Sequence, residues 1–332
     1  MYIKISDIAK RAGVSKATVS LALNGSERIN ELTRKRIQQL AQDMGYSPNP
    51  AARRLATKRS SQIGLIIPDI ENVFYAALVR FLSDAAHDGG YDLMISTSEN
   101  RIDREKRLIQ SMLNSRVEGL ILAPVNVPND EPDYLNEVAR IGLPLVFTTS
   151  KYPEKKHFCV MSDLYDGMRQ IMTALSQKGY RRIMMLSGPE NVYALELRTN
   201  GYLDSIQSLK LNYSRICSIP EVTYQGALDL ISGMKELDCD AIICVNDMMA
   251  LGVVNALLGR GIRVPQDIGV AGYDDVIFSR ISPVPITTVR QQIKCIAGQS
   301  MQMLLDVIEG RLDKNVSVEQ LLPCGIVYRN SV

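Results

Sequence analysis

A small all-α head followed by a larger α/β body is the fold class this sequence predicts, on three observations. The chain has 332 residues, more than one compact domain usually holds. Its charge is divided: residues 1–61 carry a net +8 and the remainder a net −6, within a formal total of +2. From Gln62 onward the pattern changes from short capped helices to apolar strands alternating with amphipathic helices.

Composition narrows the function classes. With 46% hydrophobic and 22% charged residues the chain is a folded protein rather than a disordered or low-complexity one. No uncharged apolar run approaches the roughly 18 residues of a membrane span. The N-terminus is polar from Lys4 onward, which leaves no secretory apolar segment, so the expected location is the cytoplasm. Six scattered cysteines without a Cys-x-x-Cys pair read as reduced packing residues, not a disulfide framework or a zinc site. Histidine occurs only at His87 and His157, which argues against His-based triads and HExxH metal sites. No catalytic residue, metal or cofactor is expected.

In the head, Ser6 is a candidate N-cap for a helix over residues 7–12, which Gly13 ends. Ser15 caps a second helix over 16–23, closed by Asn24-Gly25. Asn30 caps a third over 31–44, with Gly45 at its end. In the third helix Ile37, Leu40, Ala41 and Met44 share one face. Only Gly13-Val14-Ser15 separates the first two helices, and two helices across such a turn form a helix-turn-helix, whose second helix enters the major groove. Val19 and Leu23 are expected inside with Ile8 and Ala9, leaving Lys16, Ala17, Ser20, Leu21 and Asn24 outside. Apolar Ala17 and Leu21 can meet thymine methyls and Lys16 can reach guanine. Thr18, Ser20 and Asn24 carry short donors for phosphate oxygens. A basic head on a mildly acidic body suits contact with a polyanion; the plainer alternatives are a solvated basic face and a Leu21 buried in the small core.

Past Tyr46, Asn49 is an N-cap and Pro50 stands at N1 of a helix reaching about Lys58. Nine residues are too few to be helical alone in water. Leu55, amid Arg53, Arg54, Lys58 and Arg59, fits an apolar wedge between base steps of the minor groove, or else a plain basic linker.

The head, with Ile5-Ser-Asp-Ile-Ala-Lys-Arg-Ala-Gly-Val-Ser-Lys-Ala-Thr-Val-Ser, Gly45-Tyr-Ser-Pro-Asn and Ala52-Arg-Arg-Leu-Ala, resembles the LacI/GalR family of bacterial transcriptional regulators. That resemblance implies base reading by Lys16, Ala17 and Leu21 and a minor-groove lever at Leu55. Ser15, Thr18, Ser20, Asn24, Asn49, Arg53, Leu55 and Ala56 are expected as DNA-binding positions with them. Leu21 departs from the polar or cationic residue many members carry there.

In the body, residues 63–67, 93–96, 120–123, 145–147, 183–186, 241–245 and 269–271 read as buried parallel strands. Residues 73–87, 104–115, 166–178 and 247–260 read as helices between them. So many β-α units crowd a single sheet, and two sheets facing a cleft are expected, with ligands at the carboxyl ends of strands. Asp69, Phe74 and Tyr75 follow the first strand, and Thr149 and Ser150 the fourth. Arg198 lies beyond Ser187-Gly-Pro, and Asn246 with Asp247 and Tyr273 with Asp274 end the last two strands. An Arg, an Asp, an Asn and an aromatic ring suit a polyhydroxylated ligand. Competing structural roles are a helix cap for Asp247, hinge packing for Phe74 and Tyr75, and a surface ion pair for Arg198. The methionine pairs 184/185 and 248/249 read as core, and Arg181-Arg182 as a solvated turn.

The body is similar to the periplasmic-binding-protein-like core of the same family, through Ile63-Gly-Leu-Ile-Ile-Pro-Asp, Gly119-Leu-Ile-Leu, Gly179-Tyr-Arg-Arg-Ile, Asn246-Asp-Met-Met-Ala-Leu-Gly and the stretch from Arg263 to Asp275. The resemblance implies two Rossmann-like subdomains with crossings near residues 161, 288 and 322. It implies a DNA-binding domain at 1–48, a hinge helix and linker at 49–61, and an effector-binding and dimerisation domain at 62–332. Within the last, the N-subdomain covers about 62–160 plus 290–321 and the C-subdomain about 162–287 plus 323–332. Asp69, Phe74, Tyr75, Thr149, Arg198, Asn246 and Asp274 are the expected ligand-binding residues, with Thr149 where sugar-responsive members often have Asp. The implied function is a repressor that binds a palindromic double-stranded DNA operator as a homodimer, gated by a sugar or related metabolite, with no membrane partner. No tetramerising heptads follow the strand-like residues 325–328, so a dimer is expected over a tetramer. The rivals are a small-molecule (solute) binding protein without a DNA role, and a nucleotide-dependent enzyme on a parallel sheet, against which no phosphate-binding or nucleophile motif is found.

Overall fold

A computed structural model describes residues 3–23, 25–46, 60–125, 134–152, 157–314 and 316–332. The chain forms two compact units, residues 1–60 and 61–332.

The head consists of α1 (Ile5–Ala12), α2 (Lys16–Leu23) and α3 (Glu31–Asp43). Ile8, Val19, Ala22, Ile37 and Ala41 form its core, with Leu23, Leu40 and Met44 packed at the edge. Ala22 thus takes the fully buried place expected of Leu23, which packs at the edge of the cluster instead. The start of α1 also differs from expectation. Ser6 lies inside the helix, and the Asp7 carboxylate reaches back to accept from the Lys4 amide at 2.8 Å, satisfying an end donor that a cap would otherwise serve. Asn30 does cap α3, accepting from the Leu32 amide at 2.9 Å. Gly13, with φ of 70°, closes α1 in the left-handed region that glycine adopts without strain. Two side chains of α3 then serve the carboxyl ends of its neighbours: Arg36 Nη2 donates to Ala12 O at 2.6 Å and Gln38 Nε2 to Ala22 O at 3.1 Å.

The body contains β1 (Gln62–Ile67), α4 (Val73–Asp88), β2 (Asp92–Thr97), α5 (Ile102–Asn114), β3 (Gly119–Leu122), α6 (Tyr134–Ile141), β4 (Leu145–Thr148) and β5 (Phe158–Ser162). There follow α7 (Leu164–Gln177), β6 (Ile183–Ser187), α8 (Tyr193–Ser208), β7 (Arg215–Ser218), α9 (Tyr224–Gly233), β8 (Ala241–Cys244), α10 (Asp247–Gly259) and β9 (Gly269–Asp274). The last elements are α11 (Ile277–Ile281), β10 (Thr287–Arg290), α12 (Ile293–Ile308), β11 (Glu319–Leu322) and β12 (Gly325–Val327). They build two six-stranded sheets, ordered β11-β5-β4-β3-β1-β2 and β12-β10-β9-β8-β6-β7. The first is wholly parallel; in the second only β12 runs antiparallel, against β10. Strands such as β8, and β1 after Gln62, are apolar and buried because helices cover both faces. The chain passes between the sheets at Asp163, at Gln291-Gln292 and at Pro323-Cys324, and so residues 161, 288 and 322 themselves lie in strands.

Every body strand expected from the sequence is present, with ends shifted slightly. Four went unread: β5, β7, β10 and β11. β7 and β11 are partly exposed and mix polar with apolar residues. β10 is Thr-Thr-Val-Arg, buried except for its arginine, and its polar composition hides it. β5 is apolar but sits where the chain was expected to cross. Met184, Met185 and Met249 are buried, Met248 is half-buried, and all six cysteine thiols are free. Arg181 and Arg182 sit in an exposed turn whose amides both donate to Asp240. Among the described residues no helix is long and apolar enough to cross a membrane, and no group of three or more His, Cys, Asp or Glu could hold a metal ion.

Candidate functional site

Two surfaces carry candidate chemistry, one in each unit. In the head, Ser15 Oγ accepts from the Thr18 amide at 3.0 Å and so sets the first turn of α2. Beyond that cap, Lys16 and Ala17 are exposed, Ser20 and Leu21 are half-buried, and all four lie on one stripe. Leu21 stands outside the core cluster. A helix with its inner face committed and an outer stripe of one cation, one hydroxyl and two apolar residues can enter a major groove. Thr18, half-buried, exchanges a 2.9 Å hydrogen bond with Ser15. Asn24, Asn49, Arg53, Leu55 and Ala56 lie outside the described residues, as does the expected hinge helix.

In the body, a cavity of about 440 Å³ opens between the carboxyl ends of the two sheets' strands, within the size range of small-molecule sites. Asp69, Phe74, Tyr75, Thr149, Ser150, Arg198, Asn246 and Asp274 all line it. From the first sheet, Asp69 accepts from the Glu71 amide at 2.8 Å, forming a side-chain turn after β1. Asn72 caps α4 through the Phe74 amide, which puts Phe74 and Tyr75, edge to face at 5.4 Å, in the first helical turn. Thr149, just past β4, has φ of 65°, a strained state for a β-branched residue. From the second sheet, Asn246 caps α10 through the Met249 amide at 2.7 Å and donates to Val222 O at 3.2 Å. Much of its hydrogen-bonding capacity is therefore already used by the fold.

The buried floor is a polar triad. Arg198 Nη2 lies 3.6 Å from Asp274 Oδ1, and Gln291 Nε2 donates to the same oxygen at 2.7 Å. Burial pushes the Asp274 carboxyl up to about 6, against the opposing pull of Arg198 and the Gln291 hydrogen bond. The Arg198 guanidinium rests 4.4 Å from the centre of the Tyr273 ring. That ring does not line the cavity. It is fully buried, with its hydroxyl donating to Leu164 O at 3.1 Å, and it supports the arginine instead of offering a face to a ligand. Asp247 is also removed from the site. It does not cap α10, since Asn246 does; its buried carboxylate accepts from the Val276 amide at 2.8 Å and from Thr288 Oγ1 at 2.5 Å. Sequence reasoning missed Asn72, Glu99, Asn100, Glu221 and Gln291 as lining residues. Gln291 follows an unread strand, which is why it went unseen; Glu99 and Asn100, each with φ of 52°, could have been found as the polar turn after β2.

Comparison with known proteins agrees with this arrangement. Residues 4–49 match the family model described as bacterial regulatory proteins, lacI family. Residues 172–332 match the periplasmic binding protein-like domain. Catabolite control protein A of Priestia megaterium is 30% identical over 336 residues, covering 100% of this chain and 99% of that protein. The chain belongs to the lacI family of bacterial regulatory proteins. The HTH-type transcriptional regulator CelR of Thermobifida fusca is 29% identical to this regulator, over 98% of this chain and 96% of that one. A crystal structure of the lac repressor dimer bound to operator and the anti-inducer ONPF superposes with a TM-score of 0.89 at 26% identity, over 100% and 99% of the two chains. This lacI-family protein is a DNA-binding transcriptional regulator with an effector-binding domain.

Proposed function

We propose that this regulator is a repressor that binds a palindromic operator as a homodimer and is gated by a small polyhydroxylated metabolite in the body cavity. The observation that carries the effector reading is the cavity itself, polar and lined from the strand ends of both sheets. The likeness to a lac repressor dimer bound to operator and anti-inducer supports the DNA and dimer readings. Residues 1–48 bind DNA, 49–61 form the hinge, and 62–332 bind effector and dimerise. Lys16, Ala17 and Leu21 read bases, Ser15, Thr18, Ser20 and Asn24 meet phosphates, and Asn49, Arg53, Leu55 and Ala56 engage the minor groove. Asp69, Phe74, Tyr75, Thr149, Arg198, Asn246 and Asp274 contact the effector. The protein works in the cytoplasm and catalyses no reaction: the relatives are regulators, and among the described lining residues Arg198 is the one Lys or Arg and is paired with Asp274. A ligand that prefers one of two arrangements of the lobes shifts their populations, and with them the state of the DNA-binding region.

A thermal-shift screen of the full chain against sugars, nucleosides and amino acids tests the cavity. A ligand at 100 times its Kd adds about 2.7 kcal/mol, a shift of roughly 5 °C or more for a body of this size. The expected hit changes operator affinity and is lost in Arg198→Ala. A hit that keeps its full shift in that variant sinks the assignment of the site.

A further inference from the structure

The floor of the cavity and its mouth differ in charge. On the floor, Arg198 Nε and Gln291 Oε1 are buried and have no hydrogen-bond partner; the two residues are 8% and 5% exposed. One is a donor and the other an acceptor, a combination that a hydroxyl completes by accepting from the first and donating to the second. The guanidinium and the Asp274 carboxylate already face each other, so the floor presents no net charge to attract an anion.

At the mouth stand three more carboxylates, Asp69, Glu99 and Glu221. Glu99 forms an ion pair with Arg104. Asp69 and Glu221 have no ion pair among the described residues, and Arg198 is the one Lys or Arg among the lining residues described. Asp69 follows β1 of the first sheet and Glu221 follows β7 of the second. Two uncompensated carboxylates therefore enter one cavity from opposite lobes, where narrowing the cleft raises their mutual repulsion unless a cation comes between them.

We propose that the effector is an ammonium-bearing polyhydroxylated molecule of the amino-sugar class, whose hydroxyl meets Arg198 and Gln291 and whose charge lies between Asp69 and Glu221. This rests on the reading of the cavity as the effector site. The same carboxylates exclude phosphorylated and carboxylated ligands, and the cation favours approach of the lobes by removing the repulsion between them.

The test is calorimetric titration of the full chain with glucosamine, galactosamine and mannosamine, each beside its neutral parent sugar and the parent's 6-phosphate. At least one amine is expected to bind about tenfold or more tightly than its parent, with no heat from the phosphate. The double variant Asp69→Asn, Glu221→Gln should bring that amine to the affinity of the neutral sugar while leaving the neutral sugar unchanged. High salt should shrink the preference in the parent protein only. Equal binding of amine and parent, a preference that survives in the double variant, or silence of every amine overturns the proposal. A phosphorylated ligand that binds, or a neutral sugar that binds as tightly as its amine, and is lost in Arg198→Ala overturns charge selection but leaves the cavity reading standing; a ligand unaffected by Arg198→Ala removes the cavity reading itself.

Discussion

At Asp274 the backbone and the side chain are both held away from their preferred states. Its φ is 112°, in a region L-residues rarely adopt, and its carboxyl is buried. Such strain persists only where surrounding contacts over-determine it, here Arg198 and Gln291. Because burial raises its folded-state value to about 6 from 3.8, the folded chain holds this proton more tightly than the unfolded one does. The stability linked to the group is full below about 3.8, falls as pH rises, and is lost above about 6. Asp274→Asn should narrow the difference in unfolding free energy between pH 4 and pH 7.5 by roughly 1–3 kcal/mol, read by urea titration at the two pH values. Glu105, a second buried carboxylate, accepts from the hydroxyls of Tyr134 and Tyr152, the latter at 3.0 Å, and from the Val125 amide at 3.1 Å. Burial outweighs those three bonds and lifts it from 4.5 to about 7. The sign is the same and the window runs from about 4.5 to 7, so Glu105→Gln should remove a loss of stability that the parent protein shows across that interval. A parent and variant with parallel pH curves would contradict it.

At the scale of elements, helix pairs in the second lobe are held at separations that a single methyl group disturbs. A Cβ on Gly252 of α10 would stand 2.3 Å from the Tyr224 carbonyl oxygen at the start of α9. The obstacle is backbone, which cannot swing aside. Gly252→Ala is expected to destabilise the body by about 1–3 kcal/mol, seen as a lower urea midpoint, with operator affinity of the folded fraction unchanged. The elements themselves were legible where pattern and packing agree: the apolar runs of β1 and β8, and the third head helix, whose Ile37 and Ala41 are buried in turn. They were illegible where a strand is short and polar. β10 buries Thr287 and Thr288 because Ser331 and Asp247 meet their polar groups, and no local pattern announces those partners. The cap of α1 was misread for a similar reason, since Asp7 acts backward along the chain from inside the helix.

At the scale of the whole molecule, charge division has a measurable consequence. Two heads of net +8 on one operator displace many counterions, and binding should weaken about a thousandfold or more between roughly 50 and 200 mM salt. Fluorescence anisotropy at several salt concentrations reads that slope; a flat response would contradict a DNA role for the head. Leu55→Ser should weaken operator binding far more than binding to random duplex, since a wedge matters only where the DNA is bent around it. Equal losses on the two duplexes would count against the wedge.

The residues proposed to contact the effector were legible in the sequence because each stands at or just past the end of an apolar strand, or in the helix that follows one, where open parallel sheets bind ligands; all of them line the cavity. The sequence by itself determined the two-part plan, the strand-and-helix alternation, the capped turn before α2 and the placing of Asn246 and Asp274 at or just past strand ends and of Arg198 in the helix that follows one. Only the tertiary structure decided their partners. It set Arg198 between Asp274 and the Tyr273 ring, turned Asp247 inward, and brought Gln291 into the floor from a strand remote in sequence. The physical reason is that hydrophobic period and capping are local properties of the chain. The pairing of buried polar groups depends instead on which strand ends meet after the chain has crossed between two sheets.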